Sequence, residues 1–241
     1  TVPPGTTRDF FIPIIERESK MKVGKDFFVA FASERMAEGR AFEELRNMPT
    51  VVGGINEESL NKAKELLGLI SLSYFVPTSS LEVAETTKLF ENISRDVGIA
   101  LANEFSIFCN ALGINPRETI RVANTHPRVN LLSPGPGVGG FCIPNALHYL
   151  THKVSRMKLN LSLPKEARKR NSKMPQFIAS LIIKKLREKG LSLKKAKVGV
   201  FGLGMKDFSS DTRKSPSLEV IDYLLKERIR VKAFDPLVKL D

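Results

Sequence analysis

The sequence predicts an α/β fold class, with partial doubly wound domains joined by a long central helix. Three observations carry that prediction. Short apolar runs alternate with amphipathic helical segments over the first 78 residues. From Val83 to Phe108 apolar residues then recur every three or four positions without interruption. Finally, the chain closes on one strand–glycine turn–helix–strand unit between Ala196 and Phe234.

Composition narrows the class further. The 241 residues suit one large domain or two modest ones. A hydrophobic content of 42% beside 27% charged residues excludes disorder, and 16 Gly with 14 Pro excludes a collagen-like or low-complexity chain. No apolar window is long enough to span a bilayer. Two cysteines, Cys109 and Cys142, are too few for a disulfide scaffold and point to a reducing cytoplasm. The net charge of +12 is well mixed, and 15 Phe with no Trp suit a core better than a nucleic-acid stacking platform. The opening Thr1-Val2-Pro3-Pro4-Gly5 has neither the charged start nor the apolar core of a secretion signal. That opening, and a stop at Asp241 just after one β-α-β unit, predict a chain shortened at both ends.

Element by element, Phe10, Phe11, Ile14 and Ile15 give a helix over 9–19, and Asp26–Phe31 and Thr50–Gly54 read as buried strands. Glu57–Leu67 is an amphipathic helix, and Ser71–Val76 is a third strand. Ser79-Ser80-Leu81-Glu82 spells a capping box, in which serine and glutamate satisfy each other's backbone N–H groups. The helix it opens runs some thirty residues to Gly113, long enough to cross between domains or to pair with a second subunit. A short helix over Pro116–Ala123 leads into a Pro/Gly-rich loop, Pro127–Gly140. Residues 164–190 are helical with a break at Pro175, and the closing unit has strands at Ala196–Gly204 and Ile229–Phe234 around a helix at Ser215–Lys226.

The stretch most suggestive of chemistry is Pro134-Gly-Pro-Gly-Val-Gly-Gly-Phe-Cys142-Ile-Pro144. Its glycines let backbone approach a ligand, and a thiolate at Cys142 would be an accessible nucleophile or hydride-relay partner. A tight turn followed by a buried structural cysteine fits the same spacing. Cys109, on the apolar side of the long helix, reads as core. Lys88, Asn92, Arg95 and Asn103 line one stripe of that helix, whose default reading is a solvated face. Glu34-Arg35 follows a strand, where carboxylates work in α/β sites, and reads equally as a surface ion pair. Gly202-Leu-Gly204 lacks the third glycine of a dinucleotide fingerprint, Asp207 standing in its place, while Lys206 and Arg213 flank the turn with charge suited to phosphate. His148 and His152 sit four apart with no third ligand nearby, so no metal is expected. The basic run Ala167–Arg170 reads as a solvated helix face.

Longer motifs give a resemblance. Thr1-Val-Pro-Pro-Gly-Thr-Thr7, Ser33-Glu-Arg35 with Gly39-Arg-Ala41, Leu45-Arg-Asn47 and Val51-Val-Gly-Gly54 stand in order along the first part. Glu91-Asn92, Arg95-Asp-Val97, Ala100-Leu-Ala-Asn-Glu104, Ala123-Asn-Thr-His-Pro-Arg-Val-Asn130 and Gly135-Pro-Gly-Val-Gly-Gly140 follow. The tail adds Lys206, Asp211-Thr-Arg213, Ser215-Pro216 and Asp235-Pro236. Over nearly its whole length the chain resembles the UDP-glucose/GDP-mannose dehydrogenases, and most of all their branch acting on UDP-N-acetyl-D-mannosamine. The resemblance implies a cytoplasmic homodimer that uses NAD to oxidise the C6 alcohol of a UDP-N-acetylhexosamine to the uronic acid, for polysaccharide precursors. It implies domain boundaries too: residues 1–78 as the tail of the NAD-binding domain, 79–190 as a central helical dimerisation domain with the cysteine loop, and 191–241 as the start of a Rossmann-like UDP-sugar domain.

By the same resemblance Cys142 is the catalytic nucleophile, Lys88 and Asn92 stabilise an oxyanion, and Glu34 is the acid/base partner of Lys88. Arg128 reaches the neighbouring subunit's sugar pocket. Ser133, Gly135, Gly137 and Gly139 belong to the loop around the substrate, and Lys206 contacts it. Thr1, Glu38 and Arg213 touch NAD. The chain departs from the pattern at Ala146, where these enzymes carry an aspartate that helps activate water. Further departures are Phe141, where the UDP-N-acetylmannosamine branch has histidine, and Ser94, where tyrosine is expected. The leading glycine fingerprint of the NAD domain and the later strands of the nucleotide-sugar domain are missing from it. Those departures keep open a rival reading: a non-catalytic homologue that dimerises or binds a nucleotide sugar.

Overall fold

The computed structural model describes residues 1–37, 39–155, 157 and 159–239. The chain divides into two compact units, Thr1–Asn92 with Ala146–Asn160, and Ile93–Asn145 with Leu161–Asp241.

In the first unit a π-helical turn, Thr7–Phe11, runs directly into α1 (Ile12–Ser19), so the helix anticipated over 9–19 starts with a wider turn. The sheet holds β1 (Ala30–Ala32), β2 (Thr50–Gly54) and β3 (Phe75–Pro77) in that order. β2 lies where its apolar run placed it. The other two strands are shorter and lie later than the runs Asp26–Phe31 and Ser71–Val76 suggested. Residues 24–26 form a turn in which Asp26 accepts from the Lys22 amide, and that turn displaces the start of β1. β2 pairs parallel with β3 and antiparallel with β1, a mixed arrangement that doubly wound sheets accommodate at an edge. Val51 and Val52 of β2 are the buried centre. Two helices flank the strands: α2 (Ala41–Asn47) and α3 (Glu57–Gly68), the latter capped by Asn56, whose Oδ1 accepts from the Ser59 amide at 2.8 Å.

The long helix α4 spans Leu81–Leu112, 32 residues, and threads from the first unit into the second. Its start is capped one residue later than the Ser79…Glu82 spelling implies. The Ser80 hydroxyl accepts from the Val83 amide at 3.3 Å, and Glu82 turns instead to the Arg8 guanidinium at 2.5 Å. That hydrogen bond from Arg8 holds the Glu82 carboxyl down at about 2. Leu81, Ala84, Glu85 and Leu89 face inward.

The second unit contains α5 (Pro116–Ala123), capped by Asn115, and the beginning of α6 (Cys142–Ser155), whose later turns belong to the first unit. It also contains α7 (Ser162–Glu188), β4 (Lys197–Phe201), α8 (Pro216–Lys226) and β5 (Arg230–Phe234). Pro175 does not break α7: the helix is continuous across it, with Pro175 buried. β4 and β5 pair in parallel from Lys197↔Arg230 to Phe201↔Phe234, as the closing motif anticipated. Ala179 of α7, Val220 and Leu224 of α8, and Ile229 beside β5 form the apolar core under this pair. Burying Val220, Leu224 and Ile229 there contributes about 1.5–3 kcal/mol each. Among the described residues no helix is long and apolar enough to cross a membrane.

Candidate functional site

Glu34, Lys88 and Asn92 fall in the first unit; Cys142, Arg128, Ser133, the glycine loop, Lys206 and Arg213 fall in the second. Within the first unit, Lys88 is half-buried and Asn92 is 9% exposed on α4. Asn103, further along, is fully buried. The solvated-face reading of that stripe therefore holds only for Arg95, which is exposed. Glu34 is exposed and accepts from the Met36 amide, and it does not pair with Arg35. The Arg35 guanidinium reaches Glu91 of α4 at 2.7 Å and the Pro49 carbonyl at 2.9 Å, tying the Glu34 segment to the turn of α4 that carries Lys88 and Asn92. A small cleft of about 180 Å³ beside it is lined by Ser33, Glu34, Arg35, Thr50 and Ser71.

The Thr1–Thr7 segment is fixed by a residue no motif singled out. Glu85, 1% exposed, accepts from the amides of Gly5 at 2.5 Å and Thr7 at 2.8 Å. Thr1 is exposed at the start of that segment, and Glu38 lies outside the described residues.

In the second unit Cys142 is the first residue of α6 and is exposed, whereas Cys109 is buried at 3%. The buried-structural alternative for Cys142 is thereby set aside. A helix N-terminus favours negative charge, which suits a thiolate or a developing oxyanion. One turn later Ala146 is fully buried. The glycine loop before the thiol is packed against α7 and the segment leading into α8. A Cβ on Gly139 would lie 2.7 Å from the Lys214 carbonyl and 2.9 Å from Pro216, and Gly137 adopts φ +134° beside the Asn171 carbonyl. That carbonyl lies four residues before Pro175, which has no N–H to donate to it, so the loop's backbone can approach there. A Cβ on Gly135 would meet nothing within 4 Å. Phe141 lies beneath Arg213 and Lys214, 5.2 and 4.6 Å from ring centroid to cation, so a flat cation-binding face stands beside the thiol.

Arg213 also clasps Asp211, with Nη2 to Oδ2 at 2.6 Å, and that contact holds the Asp211 carboxyl at about 2. Lys206, Ser133 and Arg128 are exposed, the Arg128 amide meeting His126 Nδ1 at 3.3 Å. His148 and His152 are exposed on α6, and no group of three potential metal ligands occurs among the described residues.

The glycine turn after β4 is not a phosphate cradle. The amides of Leu203 and Gly204 both donate to Asp235 Oδ2, at 2.6 and 3.1 Å. The bond from Leu203 leads those that hold the Asp235 carboxyl down at about 2. An internal carboxylate thus takes the place a pyrophosphate oxygen would need.

A buried polar chain, whose connection the motif reading did not show, supports the loop. Arg168 donates to Asp96 Oδ1 at 3.0 Å, and Asn171 Nδ2 donates to the same oxygen at 2.8 Å. Asn103 Nδ2 donates to Asn171 Oδ1 at 2.9 Å, and Asn103 Oδ1 accepts from the Gly135 amide at 2.8 Å. Burial pushes the Asp96 carboxyl up, against the opposing pull of Arg168 and Asn171. Ser215, 1% exposed, stands just before α8 with its hydroxyl unpartnered.

Comparison with known proteins finds matches in both units. The NAD binding domain of the UDP-glucose/GDP-mannose dehydrogenase family matches residues 1–70, its central domain residues 82–173 and its UDP binding domain residues 199–241. The chain belongs to the UDP-glucose/GDP-mannose dehydrogenase family. It is similar to a UDP-N-acetyl-D-mannosamine dehydrogenase of Methanococcus aeolicus, 40% identical over 99% of this chain and 52% of the relative. The structure of the UDP-D-ManNAc dehydrogenase from Pyrococcus horikoshii superposes with a TM-score of 0.91 at 38% identity, covering 99% of this chain and 56% of that one. The native UDP-N-acetyl-mannosamine dehydrogenase Cap5O of Staphylococcus aureus gives 0.86 at 36% identity, over 100% and 55%. The chain spans about half the length of the curated relatives it matches.

Proposed function

We propose that this protein takes part in NAD-dependent oxidation of a UDP-N-acetylhexosamine of the UDP-N-acetyl-D-mannosamine type, converting the C6 alcohol to the uronic acid. The observation that carries the proposal is the exposed Cys142 at the start of α6, reached through a glycine loop that packs beside the Lys206–Lys214 segment. NAD, when bound, supplies the hydride acceptor. Thr1 is the described residue of the first unit that would touch it, and the Gly202–Gly204 turn does not fit its pyrophosphate, because Asp235 holds the turn's amides.

In this reading Cys142 attacks the C6 aldehyde to give a thiohemiacetal and later carries the thioester that water hydrolyses, a role thiolates fill because sulfur is a good nucleophile and leaving group. Lys88 and Asn92 stabilise the developing oxyanion, by full charge and by an amide donor respectively. Glu34 exchanges the proton with Lys88. Gly135, in open space, and Ser133 face the nucleotide sugar, with Lys206 as a charged contact; Arg128 serves the partner subunit of a homodimer.

The test is NADH formation from NAD⁺ and UDP-N-acetyl-D-mannosamine, with Cys142→Ser as control. Turnover that disappears in Cys142→Ser supports the proposal. The buried Ala146 favours a second reading, a homologue that binds the nucleotide sugar without oxidising it. No turnover, with UDP-sugar binding intact by calorimetry, establishes that second reading.

A further inference from the structure

The chain of hydrogen bonds from Asp96 to Gly135 has one direction. A carboxylate oxygen of Asp96 accepts from Asn171, and the Gly135 amide donates to Asn103. Between those fixed ends each side-chain amide has only one orientation that satisfies both neighbours, so the Asn oxygens and nitrogens are determined by chemistry. Asn103 and Asn171 are 0% and 1% exposed, and Asp96 is 4% exposed. Buried bonds that share a direction polarise one another, and cutting one leaves the next donor or acceptor without a partner. The chain begins on an ion pair between α4 and α7, Arg168 with Asp96, and ends on the loop seven residues before the thiol. Asn171 contributes twice: its side chain carries the relay, and its carbonyl lies 3.0 Å from where a Cβ on Gly137 would stand.

We propose that Asn103 and Asn171 are positioning residues that transmit the Asp96–Arg168 anchor to the Gly135 amide and so hold the glycine loop in register with Cys142. The proposal rests on the reading above only for what the loop encloses; the relay itself is a property of these five residues. Asn171 is the informative member, because its side chain touches Asp96 and Asn103, and Gly135 meets the relay only through Asn103.

The experiment is amide hydrogen exchange on ¹⁵N-glycine-labelled protein, in which the 16 glycines give a sparse spectrum. Asn103→Ala and Asn171→Ala are each expected to speed Gly135 exchange at least tenfold, while Gly199 in β4 keeps its rate. Gly135 exchange unchanged in Asn171→Ala overturns the relay, whatever Asn103→Ala does. Should either variant lose its fold, seen as faster exchange at Gly199 as well, the wild-type protein decides. Gly135 exchanging at its unprotected rate overturns the proposal, and protection of tenfold or more supports it. Calorimetry with UDP-N-acetyl-D-mannosamine gives the second readout, a tenfold weaker Kd in Asn171→Ala. Faster Gly135 exchange with an unchanged Kd removes the positioning role. Absence of UDP-sugar binding in the wild type sinks the functional reading and leaves the relay to stand on exchange alone.

Discussion

The four loop glycines look alike in the sequence, yet their surroundings separate them. At Gly139 a methyl group would press on the Lys214 carbonyl, which is backbone and cannot swing aside. Gly139→Ala is therefore expected to cost about 1–3 kcal/mol in urea unfolding, whereas Gly135→Ala, with nothing within 4 Å, should shift stability by no more than about 0.5 kcal/mol. A larger loss at Gly135 would contradict the open space around it. Asp235 gives a second residue-scale prediction. Its folded carboxyl lies at about 2, below the ordinary value of about 3.9. A depressed carboxyl lends stability that is fully present above the unfolded value and is lost as pH falls through the folded one. Denaturation midpoints should thus fall between about pH 4 and pH 2, with Asp211 and Glu82 acting in the same direction. Asp235→Asn should flatten that part of the profile, and an unchanged slope would deny the role of the turn amides.

For whole elements, the decisive join is Glu85, which holds the Thr1–Thr7 segment to α4 through two amides. Glu85→Ala leaves both donors buried without an acceptor, and a loss of about 3 kcal/mol in thermal or urea unfolding is expected. The regular elements were legible because their periods were. β2, α3, α4, α5 and the β4–α8–β5 unit fall within a few residues of their apolar patterns. What escaped was hidden by punctuation. The helix α6 begins at Cys142 with Pro144 as its third residue, and proline is at home in a first turn, where no N–H partner is required. Pro175 looked like a break for the opposite reason. A proline inside a helix forfeits a bond to residue i−4, but here the freed Asn171 carbonyl has the loop beside it. Asp96 and Asn103, two turns apart on α4, carry the polarity of a solvated stripe, and only the packing of α7 reveals that they are buried. The candidate residues were named from motifs; Glu85 and Asn171 carry no signal until a partner element is placed against them, and Arg35 and Asn103, though they stand in the motifs, show their supporting contacts only then.

Across the molecule, charge and apolar surface are unevenly shared. Residues 156–241 hold 22 Lys and Arg against 9 Asp and Glu, while residues 1–92 hold 11 against 14, so the net +12 arises from the second part of the chain. The UDP-sugar of the proposed function carries a diphosphate, and a basic environment would favour its arrival. On α4 and α5 the side chains of Phe105, Phe108, Leu112 and Val122 are 41–61% exposed, and Phe105 and Phe108 line an apolar cleft of about 520 Å³. Such a surface suits a second copy of the chain, in line with the proposed homodimer. Arg128→Ala should then weaken UDP-sugar binding about tenfold or more while leaving the dimer intact in analytical ultracentrifugation; unchanged affinity in a confirmed dimer removes the cross-subunit role. The two thiols differ as sharply as the two parts of the chain, Cys142 open to solvent and Cys109 of α4 buried. In laboratory terms the protein arrives with a single attachment point already installed. A maleimide dye should settle on Cys142 alone, turning the residue beside the glycine loop into a fluorescent reporter of whatever enters there.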